Sequence, residues 1–196
     1  VIEPATGQGY ERCPRSTAKR ALAYMQSAGI GDTAYFGAEP EFFLFDDVRW
    51  TTSQDSMAYA LDSEEGPYNT GTEFEGGNRG HRPGPKGGYF PVPPVDSAND
   101  IRAEMVNYIN EMGVRCEKHH HEVAPSQHEL GIAFGTLIDH ADAIQIYKYC
   151  IQMVAHQYGK TATFMPKPVF GDNGSGMHVH QSIWHEGKPL FAGNGY

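Results

Sequence analysis

Apolar residues recur at helical spacing in three stretches. Residues 14–28 carry Ala18, Ala21, Leu22, Met25 and Ala28, open on a proline suited to a first turn, and stop at Gly29. Residues 97–112 place Ile101, Met105, Ile109 and Met112 on one stripe, with Asp96 or Ser97 as the expected cap and Gly113 as the stop. Residues 137–158 place Leu137, Ala141, Ile144, Ile151, Val154 and Tyr158 on one face, ahead of Gly159. The remaining patterned segments read as strands: 33–48, 114–121, 129–134, 161–164, 177–184 and 189–192. Residues 51–94 offer no legible element, which is long for connecting chain in a compact domain. Tyr68, Phe74, Tyr89 and Phe90 supply apolar anchors there, so an ordered working loop is expected rather than a disordered insert. Short turns join several strands, and helices alternate with them irregularly. The predicted class is α+β, a largely antiparallel sheet flanked by helices.

Composition narrows the function. A length of 196 residues suits one domain with a real core, and 12% aromatic content disfavours disorder. No apolar run approaches 18 residues, so no membrane span is expected. With 24 acidic and 15 basic side chains, the net charge of −9 gives no electrostatic reason to hold nucleic acid. Cys13, Cys116 and Cys150 are odd in number and far apart, which disfavours a disulfide framework or a zinc knuckle. With no export signal in view, a reduced, cytoplasmic setting is expected. Neither a dinucleotide fingerprint nor a P-loop is present. What stands out is 23 glycines, 13 prolines and 10 histidines, all unevenly placed.

Four clusters carry candidate chemistry. Glu39 and Glu41 flank Pro40 in an aromatic strand and point the same way, because strand side chains alternate. Two carboxylates side by side repel unless one takes a proton or a cation sits between them. A solvent-facing edge strand, which Pro40 would allow, is the other reading. The second cluster runs Glu117-Lys-His119-His120-His121-Glu122, followed by Gln127-His128-Glu129. Consecutive strand histidines cannot all converge, so either His119 and His121, or His120 alone, face any one site. The third is His178 and His180, at i and i+2, directly after the loop Asp172-Asn173-Gly174-Ser175-Gly176, whose glycines let backbone approach a ligand. The fourth is residues 78–94, with Arg82, Lys86 and Tyr89. Several carboxylates and a single histidine make an oxygen-rich site that suits Mg²⁺ or Mn²⁺ better than zinc. Phosphoryl transfer is the natural reaction class for such a site.

Together the clusters resemble the bacterial type-I glutamine synthetase family. The resemblance rests on Phe36-Gly-Ala-Glu-Pro-Glu-Phe-Phe-Leu-Phe-Asp46, Lys86-Gly-Gly-Tyr-Phe90, His119-His-His-Glu-Val-Ala124, and Met165-Pro-Lys-Pro168 with Asn173-Gly-Ser-Gly-Met-His178. It covers essentially the whole chain. It implies a curved antiparallel sheet wrapped by helices and two or more Mg²⁺ or Mn²⁺ ions per site. Glu41, Glu122 and Glu129 would hold one metal, Glu39 and His178 the other. Glu117, His180, Gln181 and Ser182 would contact ATP, and Asn173 and Gly174 would line a glutamate pocket. Tyr89 would border the ammonium site, and Glu122 and Tyr89 are the candidate catalytic groups. The implied reaction makes glutamine from L-glutamate, ammonia and ATP through γ-glutamyl phosphate. The implied assembly is a homo-oligomer, a dodecamer of two hexameric rings.

The resemblance also makes residues 1–196 the central portion of a catalytic domain, with a β-grasp domain before Val1 and an arginine-rich part afterwards. This chain alone is then expected to be inactive and to expose apolar faces. The spacing from Glu122 to Glu129 is seven residues, one short of some family members, which leaves the direction of Glu129 open. A γ-glutamyl-amine ligase and a non-catalytic regulatory or structural homologue are the alternatives. Intact metal positions speak against the second.

Overall fold

The computed structural model describes residues 1–69, 73 and 75–195; the anchor expected at Phe74 lies outside them. The helices are α1 (Pro14–Ser27), α2 (Asn99–Glu111) and α3 (Leu137–Gln157). The strands are β1 (Thr33–Phe45), β2 (Asp47–Thr52), β3 (Met57–Asp62), β4 (Cys116–His121), β5 (Gln127–Ile132), β6 (Gly135–Thr136), β7 (Thr161–Thr163), β8 (Met177–His185) and β9 (Lys188–Pro189). Every strand pair with a described register is antiparallel, as the α+β reading requires. The chain divides into two compact units. One comprises residues 1–38, 134–145 and 179–196, the other residues 39–133 and 146–178. Among the described residues no helix is long and apolar enough to cross a membrane.

The larger unit is built on the second half of β1. Phe42, Phe43 and Phe45 there are fully buried. β5 pairs with β1 at Glu41↔Glu129, Phe42↔His128 and Phe43↔Gln127, and β7 pairs at Phe43↔Thr163. β1 is therefore interior at Phe43, and the edge-strand reading of its glutamates falls. β4 lies beyond β5, with His120 opposite Glu129. α2 buries Ile101, Met105 and Ile109 at four-residue steps, and the second half of α3 buries Tyr147, Ile151 and Val154. The smaller unit pairs Tyr35 and Phe36 of β1 with β6, and Trp184 and His185 of β8 with β9. Met25, Ala34 and Ala38 are its buried apolar residues along with Cys13.

Two expectations need correction. Residues 51–94 are not free of elements: β2 and β3 form a hairpin from Asp47↔Asp62 to Thr52↔Met57. It was hidden because both strands are mostly exposed, so no apolar alternation marks them; Trp50 is 70% and Met57 82% exposed. Neither Asp96 nor Ser97 caps α2, which starts after Ala98 with no side-chain cap. Both side chains are bound elsewhere: Asp96 to Arg102, and Ser97 Oγ to Glu65 Oε1 at 2.5 Å. Several large apolar side chains are exposed, Phe170 fully and Phe134 at 70%.

Pro40 interrupts β1 between the two glutamates and has no N–H to give a neighbouring strand. The buried Tyr147 hydroxyl bridges β1 and β5 at this point. It donates to Pro40 O at 2.7 Å and accepts from Leu130 N at 3.2 Å. Tyr147→Phe removes both bonds and is expected to lower stability by about 1–3 kcal/mol in a urea titration. An unchanged midpoint would mean the hydroxyl is not holding the ladder.

Candidate active site

In the larger unit, strand pairing gathers the carboxylates. Residues opposite each other on adjacent strands face the same side. His120 on β4, Glu129 on β5 and Glu41 on β1 therefore form one row. Glu39 and Lys118, each two residues along its strand, share that face. Glu122 reaches the row from just past the end of β4. Its Oε1 lies 3.5 Å from His120 Nδ1, and His120 Nε2 lies 3.4 Å from Glu129 Oε1. Ligand atoms of His120, Glu122 and Glu129 all lie within 4.8 Å of one another.

The electrostatics are those of crowded acids. Burial and then the Glu41 charge push the Glu122 carboxyl above its usual range, with Glu129 adding to it. Burial alone would lower His120, but its bond to Glu129 and the surrounding acceptors outweigh this and raise it. Acids outnumber cations in the row, and its donors are mainly carboxylate oxygens. That chemistry fits a hard divalent cation. Glu41 Oε2 accepts from Gln127 Nε2 at 2.5 Å and from Gly176 N at 2.9 Å. Gln127 also donates to Gly174 O at 2.8 Å, so one amide ties the glycine loop to Glu41 on β1.

Glycines decide how closely the loops approach. A Cβ on Gly88 would meet Glu122 O and His121 Cε1, both at 2.6 Å. Gly88 N donates to Val123 O at 3.0 Å, which seats the loop against the end of β4. Phe90 then stacks on His120 at 4.3 Å, and the Tyr89 ring lies 6.3 Å from His120 while remaining 62% exposed. A Cβ on Gly174 would lie 2.3 Å from Pro166 O. Lys86 Nζ donates to Asn173 Oδ1 at 2.8 Å and fixes that amide.

Behind the row, the other face of β4 and β5 carries a buried ionic network. Arg102 is paired in bidentate fashion with Asp96, at 2.8 and 2.5 Å, and its guanidinium also reaches His128 Nδ1 at 3.1 Å. Arginine has no acceptor, so His128 Nδ1 accepts, and the ring is neutral with its proton on Nε2. Burial, His121 and Arg102 hold His128 well below its usual value. Glu65 accepts from His121 Nε2 at 2.8 Å and from Ser126 N at 2.7 Å. Glu65, His121 and His128 converge closely enough for a metal, but Arg102 already supplies positive charge to His128. The histidine run therefore splits as strand alternation demands: His120 to the carboxylates, His119 and His121 to the network.

The remaining predicted residues are placed as follows. His178, 81% exposed at its side chain, has Nδ1 4.0 Å from Glu39 Oε2. Glu117 is half-exposed and paired with Arg115 at 2.8 Å. His180, Gln181 and Ser182 belong to the smaller unit, where they line a cavity of about 290 Å³ with Tyr35, Phe134 and Trp184. Tyr35 meets Phe134 and Trp184 edge-on at 5.5 and 5.9 Å, and Trp184 Nε1 donates to Ser182 Oγ at 2.9 Å. Sequence reasoning missed these aromatic walls, as it missed Gln127 and Lys118 as neighbours of the carboxylates. The i, i+2, i+4 run of His180, Ser182 and Trp184 on β8 was the available signal for one wall.

Comparison with known proteins gives a consistent picture. The family described as "Glutamine synthetase, catalytic domain" matches residues 11–196. A glutamine synthetase from Azospirillum brasilense is 67% identical over 196 residues, covering all of this chain and 42% of that protein. A protein named 3-hydroxylaminophenol mutase, from Cupriavidus pinatubonensis, is 59% identical over 197 residues, again across the whole chain and 42% of its own length. A solved Plasmodium falciparum glutamine synthetase superposes with a TM-score of 0.87 at 30% identity, over 99% of this chain and 38% of that one. The chain thus spans less than half the length of the curated relatives it matches.

Proposed function

Because this chain belongs to the glutamine synthetase catalytic-domain family, we propose that the protein carrying it joins ammonia to L-glutamate at the expense of ATP. In this reading the glutamate γ-carboxylate takes the γ-phosphoryl group, and ammonia then displaces phosphate from γ-glutamyl phosphate. The observation that carries it is the row of Glu41, Glu129 and His120 with Glu122 reaching in. Glu41, Glu122 and Glu129 would hold one Mg²⁺ or Mn²⁺ ion, and Glu39 and His178 a second. Such ions supply positive charge against phosphoryl and carboxyl oxygens.

The chain's own groups have distinct tasks in this proposal. The Asn173 amide, anchored by Lys86, and the backbone at Gly174 orient the glutamate. Tyr89, on its glycine loop, borders the ammonia position. Crowded carboxylates favour the capture of ammonium. His180, Gln181 and Ser182, with the aromatic walls of their cavity, take the nucleotide in the smaller unit; rings set edge-on leave faces for a base to stack on. Glu117 adds a polar contact to it. The chain is then the central portion of a catalytic domain, working in the cytoplasm within a two-ring homo-dodecamer.

The test is a calorimetric titration of the full-length protein with Mn²⁺, alongside glutamine formation from glutamate, ammonia and ATP. Glu41→Gln is expected to weaken Mn²⁺ binding by more than about 100-fold, since even groups that only orient a ligand cost 10–100-fold. Normal Mn²⁺ affinity in Glu41→Gln, or no glutamine from wild type, would overturn the reading. Product formation with a polyamine but not with ammonia would favour the amine-ligase alternative.

A further inference from the structure

Lys118 brings a positive charge into the carboxylate row. It shares the row's face with His120, two residues along β4. Its ammonium lies 3.6 Å from Glu39 Oε1 and 3.8 Å from Glu129 Oε1. These two glutamates come from different strands and, in the proposed function, from the two different metal positions. One side chain therefore touches both halves of the site.

The reach depends on Gly131. Lys118 pairs with Gly131 across β4 and β5, and its stem crosses the place where a Cβ would be. That Cβ would meet Lys118 Cε at 2.4 Å and Cγ at 2.6 Å. A side chain at position 131 would push the lysine off its path. The glycine lets an otherwise surface-bound lysine lie flat and deliver its charge to the acids.

We propose that Lys118 is a built-in counter-ion of the carboxylate site, which lessens the repulsion among its acids before a divalent cation arrives and has to be displaced when one binds. A divalent cation held by these oxygens repels an ammonium less than 4 Å from the same carboxylates, so binding of the one disfavours the other. The lysine side chain is 54% exposed, so it can swing into water. A half-exposed ion pair is weak. It tunes cation affinity and does not block it. The device sets a threshold, so that the acids stay compensated until divalent ion is abundant enough to replace the ammonium.

This inference rests on the proposed metal site, and the experiment separates the two. Mn²⁺ is titrated calorimetrically into the full-length wild type, Lys118→Met and Lys118→Arg, and each is melted in EDTA and in saturating Mn²⁺. Methionine keeps the stem and removes the charge. Lys118→Met is expected to bind Mn²⁺ about three- to tenfold more tightly, with a wider gap between its melting temperatures in EDTA and Mn²⁺. Lys118→Arg is expected to stay within about twofold of wild type, since the charge remains. Unchanged or weaker Mn²⁺ binding by Lys118→Met overturns the counter-ion role and leaves the metal site standing. No Mn²⁺ binding by any of the three proteins overturns both.

Discussion

Replacing Arg102 with methionine is expected to destabilise the protein by about 3–5 kcal/mol, read as a drop in the urea midpoint. The guanidinium is 1% exposed and Asp96 4%, so neither charge can turn to water when the other is lost. Arg102 also donates to His119 Nδ1 at 3.3 Å and to His128 Nδ1 at 3.1 Å, so three partners lose a donor at once. Methionine fills much of the volume, which keeps the cavity contribution small and isolates the loss of charge. The double variant Asp96→Leu/Arg102→Met removes the stranded carboxylate as well and is expected to be more stable than Arg102→Met alone. If the double variant is the worse of the two, the buried pair is not what stabilises this layer.

Glu65 gives the second large effect, and it depends on pH. Its burial would by itself raise the carboxyl, but the His121 bond and charge and the Ser97 hydroxyl outweigh that and hold it far below the ordinary 4.5. A depressed carboxylate contributes stability that is present above its unfolded value and lost as pH falls towards its folded one. Stability should therefore decline below about pH 4.5, by up to about 1.4 kcal/mol per pH unit for this one proton. Glu65→Gln is expected to cost about 2–4 kcal/mol at pH 7 and to flatten this acid limb. Denaturation midpoints measured from pH 7 to pH 3 on both proteins check it. Parallel acid limbs would place the acid sensitivity elsewhere.

The parts of the fold that bury one face were legible in the sequence. All three helices lie within two residues of their expected bounds, because Met105 and Ile109, or Ile151 and Val154, repeat at the helical period. The β2–β3 hairpin was not legible, because Trp50 and Met57 face outwards and leave no alternation to read. The cap of α2 was misread for a related reason. Asp96 has the right chemistry for a cap, but a bidentate arginine 2.8 Å away is a stronger partner than an orphan N–H. At the candidate site, strand alternation alone put Glu39 with Glu41 and separated His120 from its neighbours. It could not register one strand against the next. The meeting of Glu41 with Glu129, of Lys118 with Gly131, and of Gln127 with the glycine loop are long-range facts with no local trace.

Pro40 has a consequence beyond the bond it lacks. A strand can slide against its neighbour when every position offers the same donor and acceptor. β1 is pinned here, because a slip would break the bond that Pro40 O accepts from the hydroxyl wedged in from α3. The gauge that sets Glu41 against Glu129 therefore sits outside the sheet, on a helix with no proposed ligand of its own. If the carboxylate row takes a cation as proposed, its affinity should respond to how firmly Tyr147 is seated, and substitution along α3 becomes a way of adjusting the row without altering any residue that faces it.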